Sequence, residues 1–163
     1  MRLGLVGPRT RLGLLVALAV LALDQASKLA VLGPLETRGR IEVLPVLDFV
    51  LVWNTGISYG LLRSDGAFGR LALIALAIVA TLLILVWLAR ETCSYSAVGL
   101  GLIAGGAVGN AIDRAVHGAV LDFVLLHWKG WEWYVFNVAD AAIVAGVGLL
   151  LYASLLRRRP ATA

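Results

Sequence analysis

Three pairs of polar residues stand at helical spacing in an otherwise strongly apolar chain: Asp24 with Lys28, Asn110 with Asp113, and Asn137 with Asp140. The first pair is spaced i, i+4 and the others i, i+3, so in each the two side chains share one face of a helix. A further acid, Asp122, sits alone in Val120-Leu121-Asp122-Phe123, a run that stays apolar as far as Leu126. An asparagine can donate to a carboxylate and hold its rotamer, and a carboxylate in apolar surroundings tends to a raised pKa. Two such carboxylates brought together share a proton. One is then ionised as a general base, the other protonated as a general acid, and the pair can activate water against a peptide carbonyl. Each acid also has a plainer role open to it, satisfying backbone groups at a helix end or pairing with Arg114, and Asp24 with Lys28 reads equally as a salt bridge tethering a helix end. Spacing alone does not choose the reactive pair among Asp113, Asp122 and Asp140.

Other chemistries fit the residues less well. Ser27 and Lys28 are adjacent, so on a helix they point about 100° apart and make no serine–lysine dyad. The string Gly56-Ile57-Ser58-Tyr59-Gly60 fits Gly-x-Ser-x-Gly, but that string is a nucleophile elbow only at the strand-to-helix turn of an α/β-hydrolase sheet, which a chain of apolar spans does not offer, so that serine-hydrolase arrangement is not expected. His117 and His127 lack the His-Glu-x-x-His spacing of a zinc site, and no P-loop or dinucleotide fingerprint is present, so neither metal nor cofactor is expected. His127, beside Trp128, reads as an interfacial residue. The single cysteine, Cys93, excludes an intramolecular disulfide framework and a zinc site built on several thiolates.

The elements that must carry these residues follow from composition. In 163 residues, 61% are hydrophobic and 15% charged, against about 25% charged in an average soluble domain, so the chain belongs in a bilayer as one membrane-embedded domain spanning 1–163. A helix needs about 20 apolar residues to cross the hydrocarbon core, and four runs of roughly that length are present, predicting spans near 12–32, 71–89, 97–114 and 137–156. Thr81 is the sole polar side chain of the run Leu71 to Ala89. The third run carries Gly99, Gly101, Gly105, Gly106 and Gly109, as expected of a helix whose backbone lies close against neighbours. The first run has the basic start and apolar middle of a secretory signal peptide, but an Asp-Gln-Ala-Ser-Lys cluster follows it in place of a small-x-small cleavage site. Between spans one and two, Phe49 to Trp53 is β-like and ends in the turn residues Asn54-Thr55-Gly56. Between spans three and four, Trp128, Trp131, Trp133 and Tyr134 surround Lys129-Gly130, a hairpin signal at a membrane surface.

Four alternating spans place both termini on one side, together with Arg2, Arg9, Arg11, Arg90 and Arg157–Arg159, and the positive-inside rule makes that side cytoplasmic. Seven of the 14 Lys and Arg fall on each side, so the clustering of cations at span ends carries the assignment. Nine of the ten acids lie outside, Glu91 being the exception. The net charge of +4 is thereby explained by topology, with no nucleic-acid partner. The ends of spans one and three and the start of span four meet at one leaflet, and this convergence survives a flip of orientation.

Five blocks in order resemble the bacterial lipoprotein signal peptidases, also called signal peptidase II: Asp24-Gln25-Ala26-Ser27-Lys28, Asn54-Thr55-Gly56, Gly105-Gly106-Ala107-Val108-Gly109-Asn110-Ala111-Ile112-Asp113-Arg114, Val120-Leu121-Asp122-Phe123 and Phe136-Asn137-Val138-Ala139-Asp140. The resemblance implies an α-helical integral membrane protein with four transmembrane helices, a small extracytoplasmic β-cradle and a surface segment. It implies an aspartyl endopeptidase of the bacterial inner membrane, multi-pass, with both termini cytoplasmic and its active site at the outer leaflet. The implied substrate is a diacylglyceryl-modified prolipoprotein in contact with membrane lipid, cut on the N-terminal side of the lipidated cysteine, and a monomer is expected. By the same resemblance Asp122 and Asp140 correspond to the catalytic pair. Asn54, Asn110, Asp113, Arg114 and Asn137 correspond to positions that line or brace the site, and Asp24 with Lys28 to the motif of the first helix. After Gly56 the chain departs from the family's small residues and Phe or Trp with Ile57, Ser58 and Tyr59, which bears on the surface covering the substrate and not on the acids.

Two other classes compete. A small transporter or channel subunit would use the outer charges as an ion relay, but it predicts polar groups through the membrane depth and often repeated halves. A non-catalytic assembly factor would use the glycine-rich third span as a partner face. A metal-dependent intramembrane protease would be sensitive to chelators.

Overall fold

The computed structural model describes residues 6–56 and 67–157. The sequence features at Arg2, at Ile57, Ser58 and Tyr59, and at Arg158 and Arg159 lie outside the described residues. Within them, four helices are long and apolar enough to cross a membrane: α1 (Thr10–Arg38), α2 (Ala67–Leu88), α3 (Ser94–His117) and α4 (Val138–Arg157). Four strands complete the order: β1 (Arg40–Leu44) and β2 (Leu47–Asn54) between α1 and α2, β3 (Val120–Trp128) and β4 (Trp131–Phe136) between α3 and α4.

Each helix overlaps its expected span, but α1 does not stop near residue 32. It continues through Gly33 and Pro34 to Arg38, and its 29 residues make a rod about 43 Å long, against about 30 Å of hydrocarbon. Proline removes one backbone hydrogen bond, which is why the sequence suggests a stop there. The loss is outweighed because Leu35 is 1% exposed, Thr37 Oγ1 donates to Gly33 O at 2.7 Å, and the helix closes at Gly39, whose φ of 73° suits a residue without Cβ.

The centre of the bundle is α3, which touches each of the other three helices. Over half of its most apolar stretch is buried, against 6% for α2, which packs on α3 by one half-buried face, with Ile84 and Leu85 against Leu88, Ala97 and Leu100, and leaves its other faces exposed. Close approach explains the glycines. A Cβ on Gly105 would lie 2.5 Å from Ala17 O of α1, and one on Gly106 would lie 2.5 Å from Ala139 O of α4. Both are carbonyls of rigid helical backbone, so Gly106→Ala should destabilise by about 1–3 kcal/mol. Gly148→Ala, where a Cβ meets nothing within 4 Å, should stay within about 0.5 kcal/mol of the parent. Thermal unfolding followed by tryptophan fluorescence compares the two, and equal behaviour would remove close packing as the reason for the glycines. At the opposite end, Thr10 Oγ1 donates to Leu88 O at 3.2 Å, tying the start of α1 to the end of α2. Glu91 Oε1 accepts from the amides of Thr92 and Cys93 at 2.9 Å each, so this acid serves the entrance to α3.

The strands form one antiparallel sheet in the order β1-β2-β3-β4. The expected hairpin is present: Lys129 and Gly130 both have positive φ, 47° and 84°, as a two-residue type I′ turn demands. The β-like stretch at Phe49 to Trp53 is the middle of β2, and a second strand, β1, precedes it. Pairing of β2 with β3 sets Val52 opposite Asp122 and Asn54 opposite Val120. The far end of the sheet is held by charge. Arg40 of β1 reaches Asp48 of β2 at 2.6 Å and Glu132 of β4 at 2.7 Å, while His127 Nε2 of β3 lies 3.2 Å from Asp48. Burial pushes the Asp48 carboxyl up, but the hydrogen bond from Arg40 and the nearby His127 imidazole outweigh it and leave the group below its usual range.

Candidate active site

Four acids gather where the middle of α1, the C-terminal part of α3, the start of α4 and the strand β3 meet, and their hydrogen bonds divide them into two kinds. Asp24 and Asp113 are held by a cation. Lys28 Nζ lies 2.8 Å from Asp24 Oδ2 and 2.8 Å from Asp113 Oδ2, and 3.3 Å from Asn110 Oδ1, so its three protons have three acceptors. The remaining lone pairs are also engaged. Asp24 Oδ1 accepts from Ala139 N at 2.9 Å, Asp113 Oδ2 accepts from Leu121 N at 3.1 Å, and Gln25 Nε2 donates to Asp24 Oδ2 at 3.2 Å and to Asp113 Oδ1 at 3.0 Å. Asp24 is 0%, Asp113 3% and Lys28 5% exposed, which makes this a closed, fully bonded joint between α1, α3, β3 and α4.

Asp122 and Asp140 are held by neutral amides. Asp122 Oδ1 accepts from Asn137 Nδ2 at 2.7 Å and Oδ2 from Asn54 Nδ2 at 3.0 Å. Asp140 Oδ1 accepts from Asn110 Nδ2 at 2.9 Å and Oδ2 from Asn137 N at 3.4 Å. Among the described residues neither acid forms an ion pair. Asn137, wholly buried, joins the two: its side-chain Nδ2 donates to Asp122 while its side-chain Oδ1 accepts from Asp140 N at 2.9 Å. With the return bond from Asn137 N, this last contact is a capping box that starts α4, so the carboxylate of Asp140 is fixed by the same bonds that begin its helix. Burial pushes the Asp122 carboxyl up to about 6; the Asn54 and Asn137 hydrogen bonds and the field of Lys28 pull it down, while the neighbouring Asp140 pushes it further up.

All nine sequence-predicted residues lie in this region, with three differences in bonding. The asparagines were expected to brace the aspartate on their own helix face, but the Asn110 amide crosses to Asp140 of α4 and the Asn137 amide to Asp122 of β3. Among the described residues Arg114 pairs with no aspartate. Its guanidinium donates instead to Asn110 O at 3.3 Å and Gly56 O at 2.9 Å. Gly56 N in turn donates to Asn54 Oδ1 at 3.0 Å, so Arg114 secures the turn that aims Asn54 at Asp122. The Asp24 and Lys28 pair is present, enlarged by Asp113. Sequence reasoning passed over Gln25, which bridges Asp24 to Asp113. Its neighbour relation to Asp24 hides this role, since successive helical residues diverge. His127 belongs to the charged end of the sheet, and among the described residues no group of three His, Cys, Asp or Glu is arranged to hold a metal ion.

Four apolar helices capped at one end by a small sheet, with two amide-held carboxylates where helices and sheet meet, define a multi-pass membrane protein with the parts of a hydrolase. The chain belongs to the signal peptidase II family, whose model, described as signal peptidase (SPase) II, matches residues 16–156. It is therefore a peptidase of bacterial membranes. It is 55% identical over 144 residues to a lipoprotein signal peptidase of Methylorubrum extorquens, covering 86% of this chain and 84% of that one. To the lipoprotein signal peptidase of Rhodopseudomonas palustris it is 50% identical over 152 residues, covering 90% and 93%. A bacterial membrane enzyme solved by the in meso method at 2.3 Å resolution superposes with a TM-score of 0.77 at 25% identity, over 92% of this chain and 91% of that one.

Proposed function

We propose that this protein removes the signal peptide from diacylglyceryl-modified prolipoproteins, cutting on the N-terminal side of the lipidated cysteine, with Asp122 and Asp140 as the catalytic pair. The observation that carries the assignment is the division of the acids. Asp24 and Asp113 are committed to Lys28, whereas Asp122 and Asp140 receive only neutral donors around one asparagine. A carboxylate bound to an ammonium has its lone pairs committed, while one held only by neutral amides is open to exchanging a proton with water.

The pair works as one unit holding one proton. The ionised acid takes a proton from water as the water oxygen attacks the scissile carbonyl, and the protonated acid gives its proton to the carbonyl oxygen. On collapse of the tetrahedral intermediate, that oxygen returns its proton to the second acid, the carbon–nitrogen bond breaks, and the proton taken from water leaves on the new amine of cysteine. Each acid ends in the state in which it began. Nothing in this sequence uses a metal, and activity should survive EDTA.

The arginines at the span ends support cytoplasmic termini and a site at the outer leaflet, where the scissile bond of a membrane-anchored lipidated cysteine lies. The chain then acts as a single unit and as a monomer. The decisive assay is the mobility shift of a diacylated prolipoprotein on incubation with the purified protein in lipid nanodiscs, with the unlipidated precursor alongside. Cleavage of the lipidated form supports the reading, and no cleavage of either overturns it.

The elevated Asp122 pKa yields a pH prediction. A singly protonated pair gives a bell-shaped profile, one limb of which falls near pH 6 and belongs to the pair as a whole. The Asn54 amide stabilises the ionised form, so Asn54→Ala raises the pKa further and moves that limb to higher pH. A limb that stays in place, or moves down, would show that Asn54 does not act on the titrating group.

A further inference from the structure

A groove of about 500 Å³ lies between the β3–β4 hairpin and α4, and Asp140 stands in its wall. Leu126, Trp133 and Phe136 form the sheet side, and Ala141 and Ala145 the helix side. Val144, in the same wall, is 72% exposed, so the mouth of the groove faces lipid in a chain that spans the membrane. From Asp140 to Ala145 the groove follows α4 for about 7.5 Å, away from the carboxylate toward the centre of the bilayer. Ala141 and Ala145 are exposed and stand one turn apart on a single face.

We propose that this groove seats an acyl chain of the substrate's diacylglyceryl group, and that Ala141, Ala145 and Trp133 set how much chain it admits. The inference rests on the prolipoprotein-cleaving reading above. The thioether that carries the lipid is one side chain away from the scissile carbonyl, so the lipid must leave the site through a space bordered by a catalytic acid, and Asp140 borders this one. A second apolar groove, about 300 Å³ between α2 and α3 and lined by Ile78, Leu82, Val108 and Ile112 among others, contains neither acid. Apart from Asp140 and Tyr134, the walls of the α4 groove are apolar side chains, which suits hydrocarbon. Acyl chains of the outer leaflet run along the same direction as α4, so one enters sideways without crossing water. Trp133 and Tyr134, at the headgroup end, are the residue types that favour the ester level of a bilayer.

The test uses the full chain in nanodiscs and two peptide substrates, one S-dipalmitoylglyceryl and one S-dihexanoylglyceryl. Ala145→Trp fills the lower groove, and the preference for the long-chain substrate, taken as the ratio of the two kcat/KM values, should fall about tenfold, with KM for the long-chain substrate carrying the change. An unchanged ratio overturns the assignment, including the case where an ordinary membrane phospholipid occupies the groove. Should Ala145→Trp not fold, the parent protein gives the answer with a dipalmitoyl substrate carrying a mid-chain diazirine. Crosslinks to α4 and to Trp133 support the groove, and crosslinks to α2 and α3 overturn it. Failure of the parent to cleave either substrate would instead remove the functional reading itself.

Discussion

Asp122→Asn and Asp140→Asn should each lower cleavage of a diacylglyceryl prolipoprotein by about 10²–10⁴-fold or more, the usual weight of a general acid or base. The double variant should be scarcely slower than either single one, because groups that act as a unit do not lose activity additively. The substitutions change little volume but alter the hydrogen bonding in a defined way. Both Asp122 oxygens accept from amide nitrogens, of Asn137 and Asn54, so an asparagine at this position sets one NH2 group against another and costs about 1–3 kcal/mol for the unsatisfied donor. Folded yield and unfolding temperature must therefore be measured beside the rate. Asp113→Asn is the contrasting variant. Asp113 is bonded to Lys28, Gln25 and Leu121 N, so its loss should appear chiefly in stability. A folded Asp122→Asn or Asp140→Asn protein that cleaves at the parent rate would refute the assignment of the pair.

The largest stability effect is expected at Lys28. Lys28→Met removes the one cation that touches two buried carboxylates, Asp24 and Asp113, whose exposures of 0% and 3% leave almost no access to water. Breaking a buried ion pair from one side costs about 3–5 kcal/mol, against total stabilities of about 5–15 kcal/mol. The expected result is a large drop in unfolding temperature and in the amount of protein recovered from membranes. Replacing Asp24 and Asp113 by Asn in the same protein should recover much of the loss, since neutral side chains leave no stranded charge. If Lys28→Met unfolds at the parent temperature, the joint is not what holds α1, α3 and α4 together.

The candidate site shows how far linear spacing reaches. The i, i+3 relations of Asn110 with Asp113 and Asn137 with Asp140 correctly place each pair on one helix face, and the second also encodes a capping box. They do not reveal that the amide of each asparagine serves an acid on another element, 30 residues away for Asn110 with Asp140 and 15 for Asn137 with Asp122. Nor does Asn54 announce that it is aimed at Asp122 by a turn fastened through Arg114. That α1 runs on past its apolar stretch to Arg38 is not legible in the sequence, because the rule for proline is local, while the burial of Leu35 that sustains the next turn comes from packing.

What the sequence determined by itself is what depends on a one-dimensional property: four spans from the length of the apolar runs, a central α3 from its glycines, the Lys129-Gly130 turn from the left-handed backbone it requires, and the gathering of acids at one end from the alternation of span direction. What only the tertiary structure decided is which acids are occupied. Asp24, Asp113, Asp122 and Asp140 are the same residue type at the same end of the bundle, and their chemical difference lies in whether an ammonium or an amide stands about 3 Å away. That is settled by the packing of α1, α3, β3 and α4 against one another, because electrostatic and hydrogen-bond effects act over distances that sequence separation does not measure.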